Sequence, residues 1–161
     1  MVSDYKEILS DSAKGMKRSA IRELLKLTQK PEIISFAGGL PAKESFPLEQ
    51  LQGICAEVIA TAGAAACQYR STEGVPELLE ILAQRYRDQG LSYVTKENIT
   101  IITSSQQGLD TVGKIFLNRG DKYICELPSY LGALGAFNSY GGVGVGIPQD
   151  QQGMSAVELE K

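Results

Sequence analysis

NITIITSSQQGLDTVGKIFLNRGDKYICELPSYLGALGAFNSYGGVGVGI, residues 98–147, alternates two kinds of local pattern, and that alternation decides the fold. Asn98–Thr103 is a short β-branched run of the kind that forms a buried strand. Ser104 and Ser105 follow at once, and Leu109, Val112 and Phe116 then recur at helical spacing. Asn118-Arg119-Gly120-Asp121 reads as a turn and Lys122–Glu126 as a second strand. Pro128-Ser129 opens another helix through Phe137, and Val143–Ile147 is a third strand. Strand, helix, strand, helix, strand predicts the α/β class, with a parallel sheet and right-handed crossovers.

Upstream the spacing is helical. Val75, Leu78, Leu79, Leu82 and Tyr86 form one stripe, with Gly90 as its C-terminal stop. Residues 61–74, with Gly63, the run Ala64-Ala65-Ala66 and Gly74, read as a connection. Before it, Pro47 suits the first turn of a helix whose apolar face is Leu48, Leu51, Cys55, Val58 and Ile59. Residues 32–46 are irregular, with a tight turn at Gly38-Gly39 and Pro41. Ile21, Leu24, Leu25 and Thr28 place a first helix over 19–29, stopped by Pro31. There are no internal repeats and no low-complexity segments.

Bulk properties narrow the function classes. The chain has 161 residues, 43% hydrophobic and 22% charged, with a formal charge of −3. That balance argues against a nucleic-acid partner, which needs a basic face. No apolar run is long enough to span a bilayer, and the first residues lack the apolar core of a signal peptide, so a cytoplasmic protein without a membrane partner is expected. Cys55, Cys67 and Cys125 are odd in number and far apart in apolar surroundings, which predicts buried free thiols rather than disulfides or metal ligands. The Asn98-Ile99-Thr100 sequon has no role in such a compartment. The chain contains no histidine. Ser-His-Asp and Cys-His nucleophile systems and His-based zinc sites are therefore excluded, leaving lysine, tyrosine, carboxylates or a cofactor to carry chemistry.

The junction Thr103-Ser104-Ser105-Gln106-Gln107 is the most informative local feature. A helix starting directly after a strand presents free N–H groups and the positive end of its dipole, a natural site for a phosphate or carboxylate. Simple capping of the helix by Ser104 or Ser105 is the other reading. Ligands in open α/β sheets do gather at the carboxyl ends of strands. Gly142, Gly144 and Gly146 precede and enter a strand, so they lack the strand-to-helix context of a dinucleotide loop and read as glycines of a tightly packed strand. By themselves Tyr69 and Tyr130 are half-buried aromatics and Arg22 is a solvated charge.

Together, SAIRELLKLTQKPEIISFAGGLPAKESFP (19–47), QYRSTEGVPELLEILAQR (68–85), ITIITSSQQGLDTVGKIFLNRGD (99–121) and ELPSYLGALGAF (126–137) resemble the fold-type-I pyridoxal-phosphate aminotransferases of class I/II. The branch they most resemble is the 2-aminoadipate and kynurenine aminotransferases. The resemblance implies residues 1–46 as an N-terminal arm and helix. Residues 47–161 would then be the N-terminal part of the large, cofactor-binding domain, a parallel-rich sheet with flanking helices. It implies pyridoxal 5'-phosphate as cofactor, an amino acid and a 2-oxo acid as substrates, and a homodimer with shared active sites. Ser105 and Gln106, with Ser104 beside them, would hold the cofactor phosphate, and Tyr130 would stack on the pyridine ring. Tyr69 would reach the phosphate of the neighbouring subunit. Gly39 would lie beside the substrate, and Arg22 would approach an acidic side chain of it.

Two departures stand out. Ser104 replaces the family's usual glycine, adding a hydroxyl to the phosphate cup. The family's Schiff-base lysine, its partner for the pyridine nitrogen and its substrate-carboxylate arginine find no counterpart up to Lys161. The chain is accordingly expected to be an N-terminal portion with no catalytic residue of its own, inactive by itself. Other readings of such a chain are a noncatalytic interaction module, or the aminotransferase-like module of a transcriptional regulator. The acidic balance and the lack of a helix-turn-helix disfavour the regulator.

Overall fold

The structure, a computed structural model, describes residues 5–16, 32–34 and 39–161. In chain order its main elements are α1 (Asp11–Gly15), α2 (Leu48–Ala66), α3 (Pro76–Asp88), α4 (Ser105–Phe116), β1 (Lys122–Leu127), α5 (Leu131–Ser139), β2 (Val143–Asp150), β3 (Gly153–Met154) and α6 (Ala156–Leu159). They belong to two compact units, one of Ser19–Ile101 and one of Met1–Arg18 with Ile102–Lys161. The helix expected over 19–29, and Pro31, lie outside the described residues.

In the Ser19–Ile101 unit, α2 follows Pro47 and continues to Ala66, so the connection expected at 61–74 begins later than the glycine suggested. The helix breaks only locally, at Gly63 (φ 11°, ψ −97°), and Ala64, Ala65 and Ala66 resume it. Alanine is the strongest helix former, which is why three of them prevail over one glycine. None of the α2 residues is buried, and Leu48, Val58 and Ile59 are exposed. Cys55 and Cys67 are free but exposed and Cys125 is only half-buried, which corrects the expectation of buried thiols. Cys55 sits on an apolar α2 face that none of the described residues covers.

Helix α3 starts with Pro76 in its first turn, where a missing N–H costs nothing, and buries Leu79 and Ala83. At its other end Arg87 donates to the Val94 carbonyl (3.0 Å) and to Glu80 Oε1 (2.7 Å), tying the following loop back to the helix. That loop closes in a capping box in which Asn98 Oδ1 accepts from the Thr95 N–H at 3.0 Å.

Asn98–Thr103 is not a strand, contrary to the pattern of its residues. Its backbone is extended at Ile99, but the N–H groups go elsewhere. Ile101 donates to the Glu73 carbonyl at 2.7 Å and Thr103 to Gln107 Oε1 at 2.6 Å. A β-branched run becomes a strand only when a neighbouring backbone completes its ladder, and among the described residues none does.

In the second unit β1 and β2 pair in parallel, from Lys122 opposite Val143 to Leu127 opposite Pro148. The short β3 adds an antiparallel edge through Gln149–Met154 and Asp150–Gly153, so the sheet is mixed rather than purely parallel. The turn before β1 is held by Asp121 Oδ2, which accepts from the Asn118 N–H at 2.7 Å, and Gly120 supplies the positive φ of 90° that the turn requires. Gly144 has no room for a side chain, since a Cβ there would sit 2.9 Å from the Tyr123 hydroxyl. Tyr123 instead lies over the strand, donates to Asn138 Oδ1 (2.9 Å) and meets Phe137 edge-on at 5.1 Å. The reading of these glycines as close-packed strand positions therefore holds at Gly144. Helix α5 packs on β2 and on α4, with Ala136, Ile147 and Gly113 buried. The Tyr140 hydroxyl closes that packing by donating to Asp110 Oδ1 at 3.0 Å.

Candidate anion and cofactor site

The amino end of α4 is open and has the geometry that an anion site needs. Ser104 occupies the N-cap in an extended conformation (φ −164°, ψ 169°), yet its hydroxyl makes no capping bond. Simple capping by that hydroxyl is thus not realised. Ser104 instead contributes its carbonyl, which accepts from the N–H groups of Gln107 (3.1 Å) and Gly108 (3.3 Å). The N–H groups of Ser105 and Gln106 meet no acceptor among the described residues. No acidic side chain occupies the first turn. Two free N–H groups, two hydroxyls and the positive dipole end suit a phosphate dianion.

The start of α5 is tied to the same place. Gln106 Nε2 donates to the Gly132 carbonyl at 3.2 Å, linking the first turns of α4 and α5 across 26 residues of chain. Tyr130 is the N-cap of α5 and is an exposed residue (61%). The structure thus brings Ser104, Ser105, Gln106 and Tyr130 together in one unit. Tyr69 and Gly39 belong to the other unit. Tyr69 is almost fully exposed, and Gly39 has a positive φ of 57° with open space where a Cβ would stand. Arg22 lies outside the described residues.

Two residues here were given no role by the sequence reading. Gln107 holds the end of the preceding segment through the Thr103 N–H at 2.6 Å. Its signal was the i, i+4 spacing from Thr103, which only the extended-to-helix junction makes meaningful. Gly132 carried no signal at all. Its importance is spatial and rests on where the Tyr130 ring lies.

An α/β unit with an open helix start beside an exposed tyrosine belongs to the class of folds whose geometry suits a phosphorylated, planar ligand. Comparison with known proteins makes the class specific. No family model matches the chain. The aromatic-amino-acid aminotransferase 1 of Thermococcus litoralis is 44% identical over 158 residues, 98% of this chain and 38% of the relative. The 2-aminoadipate transaminase of Thermus thermophilus is 41% identical over 157 residues, again 98% of this chain and 38% of the relative. The solved α-aminoadipate aminotransferase of Thermus thermophilus, in complex with N-(5'-phosphopyridoxyl)-L-leucine, superposes with a TM-score of 0.85 at 38% identity, covering 98% of this chain and 38% of that one. The chain belongs to the pyridoxal-phosphate-dependent aminotransferases. It spans about two-fifths of the length of the relatives it matches.

Proposed function

We propose that the protein containing this chain is a pyridoxal-phosphate-dependent aminotransferase that moves an amino group between an amino acid, acidic or aromatic, and a 2-oxo acid. The observation that carries this reading is the open start of α4, where the Ser105 and Gln106 N–H groups have no acceptor among the described residues, tied by Gln106 to the turn that presents Tyr130. When bound, the cofactor supplies an electron-withdrawing ring that stabilises negative charge at the substrate Cα.

Each residue of the chain has a distinct part. The N–H groups of Ser105 and Gln106 and the hydroxyls of Ser104 and Ser105 hold the phosphate. They anchor one end of the cofactor without taking part in proton transfer. The Tyr130 ring would pack on the flat ring of the cofactor and shield it from water. Tyr69 reaches the phosphate of a second subunit, so the working form is a homodimer. Gly39 leaves room for the amino acid, and Arg22 attracts an acidic side chain. Residues 1–46 act as the arm and 47–161 as the N-terminal part of the cofactor domain. The cofactor-bearing lysine and the proton-transfer groups come from outside these residues.

The test is direct. The full-length protein, loaded with pyridoxal 5'-phosphate, is given 2-aminoadipate, kynurenine or phenylalanine with 2-oxoglutarate, and glutamate is measured. Turnover of at least one donor is expected. A protein that takes up no cofactor and yields no glutamate from any of them overturns the proposal.

A further inference from the structure

We infer that Gly132 is a positioning residue for the cofactor ring, acting through Tyr130; this rests on the aminotransferase reading above. Gly132 lies in the first turn of α5 with no left-handed backbone angle, so the helix itself does not call for glycine. Alanine would in fact be the better helix former there. What glycine provides is space. A Cβ at this position would sit 2.5 Å from Tyr130 Cε1, 2.6 Å from Tyr130 Cζ and 2.7 Å from Gln106 Oε1. The ring edge and the Gln106 amide therefore converge on the point that a single methyl group would fill.

Both groups are the far ends of exposed, flexible side chains. An added methyl therefore displaces them rather than breaking the fold. The Tyr130 ring swings away, and the Gln106 amide that anchors the turn through the Gly132 carbonyl moves with it. The one change alters both the ring cover and the alignment of the phosphate-binding turn, leaving the chemistry of every contacting group intact. Gly135, one turn further along α5, provides the contrast, because a Cβ there meets nothing within 4 Å.

The experiment titrates pyridoxal 5'-phosphate into the full-length apoenzyme of the wild type, Gly132→Ala, Gly135→Ala, Tyr130→Ala and the Tyr130→Ala/Gly132→Ala double variant. Binding is read by absorbance and integrity by thermal melting without cofactor. Gly132→Ala should melt within a few degrees of wild type and bind about threefold to tenfold more weakly, the range expected for losing one aromatic contact. Gly135→Ala should bind as wild type. In the Tyr130→Ala background the Gly132 substitution should cost less than in the wild type, because the ring is gone and only the Gln106 amide still stands in the way of the methyl. Equal binding by Gly132→Ala and wild type overturns the inference, as does a full additional loss in the double variant. If Gly132→Ala does not fold, the double variant decides, since relief of the clash restores folding only if the ring was the obstacle. A wild type that binds no cofactor sinks the functional proposal instead, so the two failures are distinguishable.

Discussion

Gly113→Ala should destabilise the unit that carries the site, whereas Gly135→Ala should stabilise it, and the difference measures the α4–α5 packing. Both glycines lie in helix interiors, where replacement by alanine gains about 1 kcal/mol of helix propensity. Gly135 is exposed, and a Cβ added there would meet nothing within 4 Å, so the whole gain should appear. Gly113 is buried, and a Cβ there would lie 2.9 Å from Tyr140 Cδ2 and 3.2 Å from Phe137 Cδ1. Neither ring yields freely, because the Tyr140 hydroxyl is bonded to Asp110 and Phe137 is held edge-on by Tyr123. Overpacking of this kind costs about 1–3 kcal/mol, so the net loss at Gly113 should be about 1 kcal/mol. The two alanines should then differ by about 2 kcal/mol. Urea unfolding followed by circular dichroism, at a dilution where light scattering shows one species, reads that difference. Tyr140→Phe releases one ring, so Gly113→Ala should cost less in that background. If Gly113→Ala proves as stabilising as Gly135→Ala, the close contact of α4 with α5 is wrong, and the placement of Tyr130 beside α4 falls with it.

Three further outcomes are expected. Burial, followed by the hydrogen bond and charge of Asp110, raises the Tyr140 phenol above 10.0, and burial likewise raises that of Tyr123. A raised folded value contributes stability that is complete below the unfolded value and fades as pH climbs through the folded one. The chain should therefore lose stability as pH rises from about 10, the ordinary phenol value, through the raised folded values, and Tyr140→Phe should lose less over the same range. Arg22→Ala in the full-length enzyme should reduce kcat/KM for 2-aminoadipate more than for an aromatic donor; equal losses would remove Arg22 from the substrate pocket. The 161-residue chain by itself should self-associate, because the outer edge of β1 has no strand beside it among the described residues and Ile124 and Val143 are exposed. Light scattering should give a mass well above 17.4 kDa, and a clean monomer would contradict this.

The helices were legible because their signals are local. Pro47 marked one start, and the stripe through Leu78, Leu79 and Leu82 marked a buried face that the structure centres on Leu79 and Ala83. The strands β1 and β2 were legible for the same reason, bracketed by the Asn118–Asp121 turn and the glycines before Val143. Asn98–Thr103 was misread because pairing is not a local property, and its N–H groups went to Glu73 and Gln107 instead of a ladder. Burial of the cysteines failed likewise, since an apolar neighbourhood in sequence says nothing about which surface covers it. At the site, the junction itself left an anion site and a simple helix cap both open, and only the family resemblance assigned Ser104, Ser105 and Gln106 to a phosphate. The tie from Gln106 to Gly132 and the space kept for Tyr130 depend on a contact across 26 residues, which no spacing rule encodes.

The central claim is that the α4 start and Tyr130 hold the two ends of one cofactor. A crystal structure of the full-length protein with pyridoxal 5'-phosphate tests it most directly. The account predicts the phosphate within hydrogen-bonding distance of the Ser105 and Gln106 N–H groups, with the Tyr130 ring stacked on the pyridine. A phosphate bound elsewhere, with the α4 start facing only water, would contradict it.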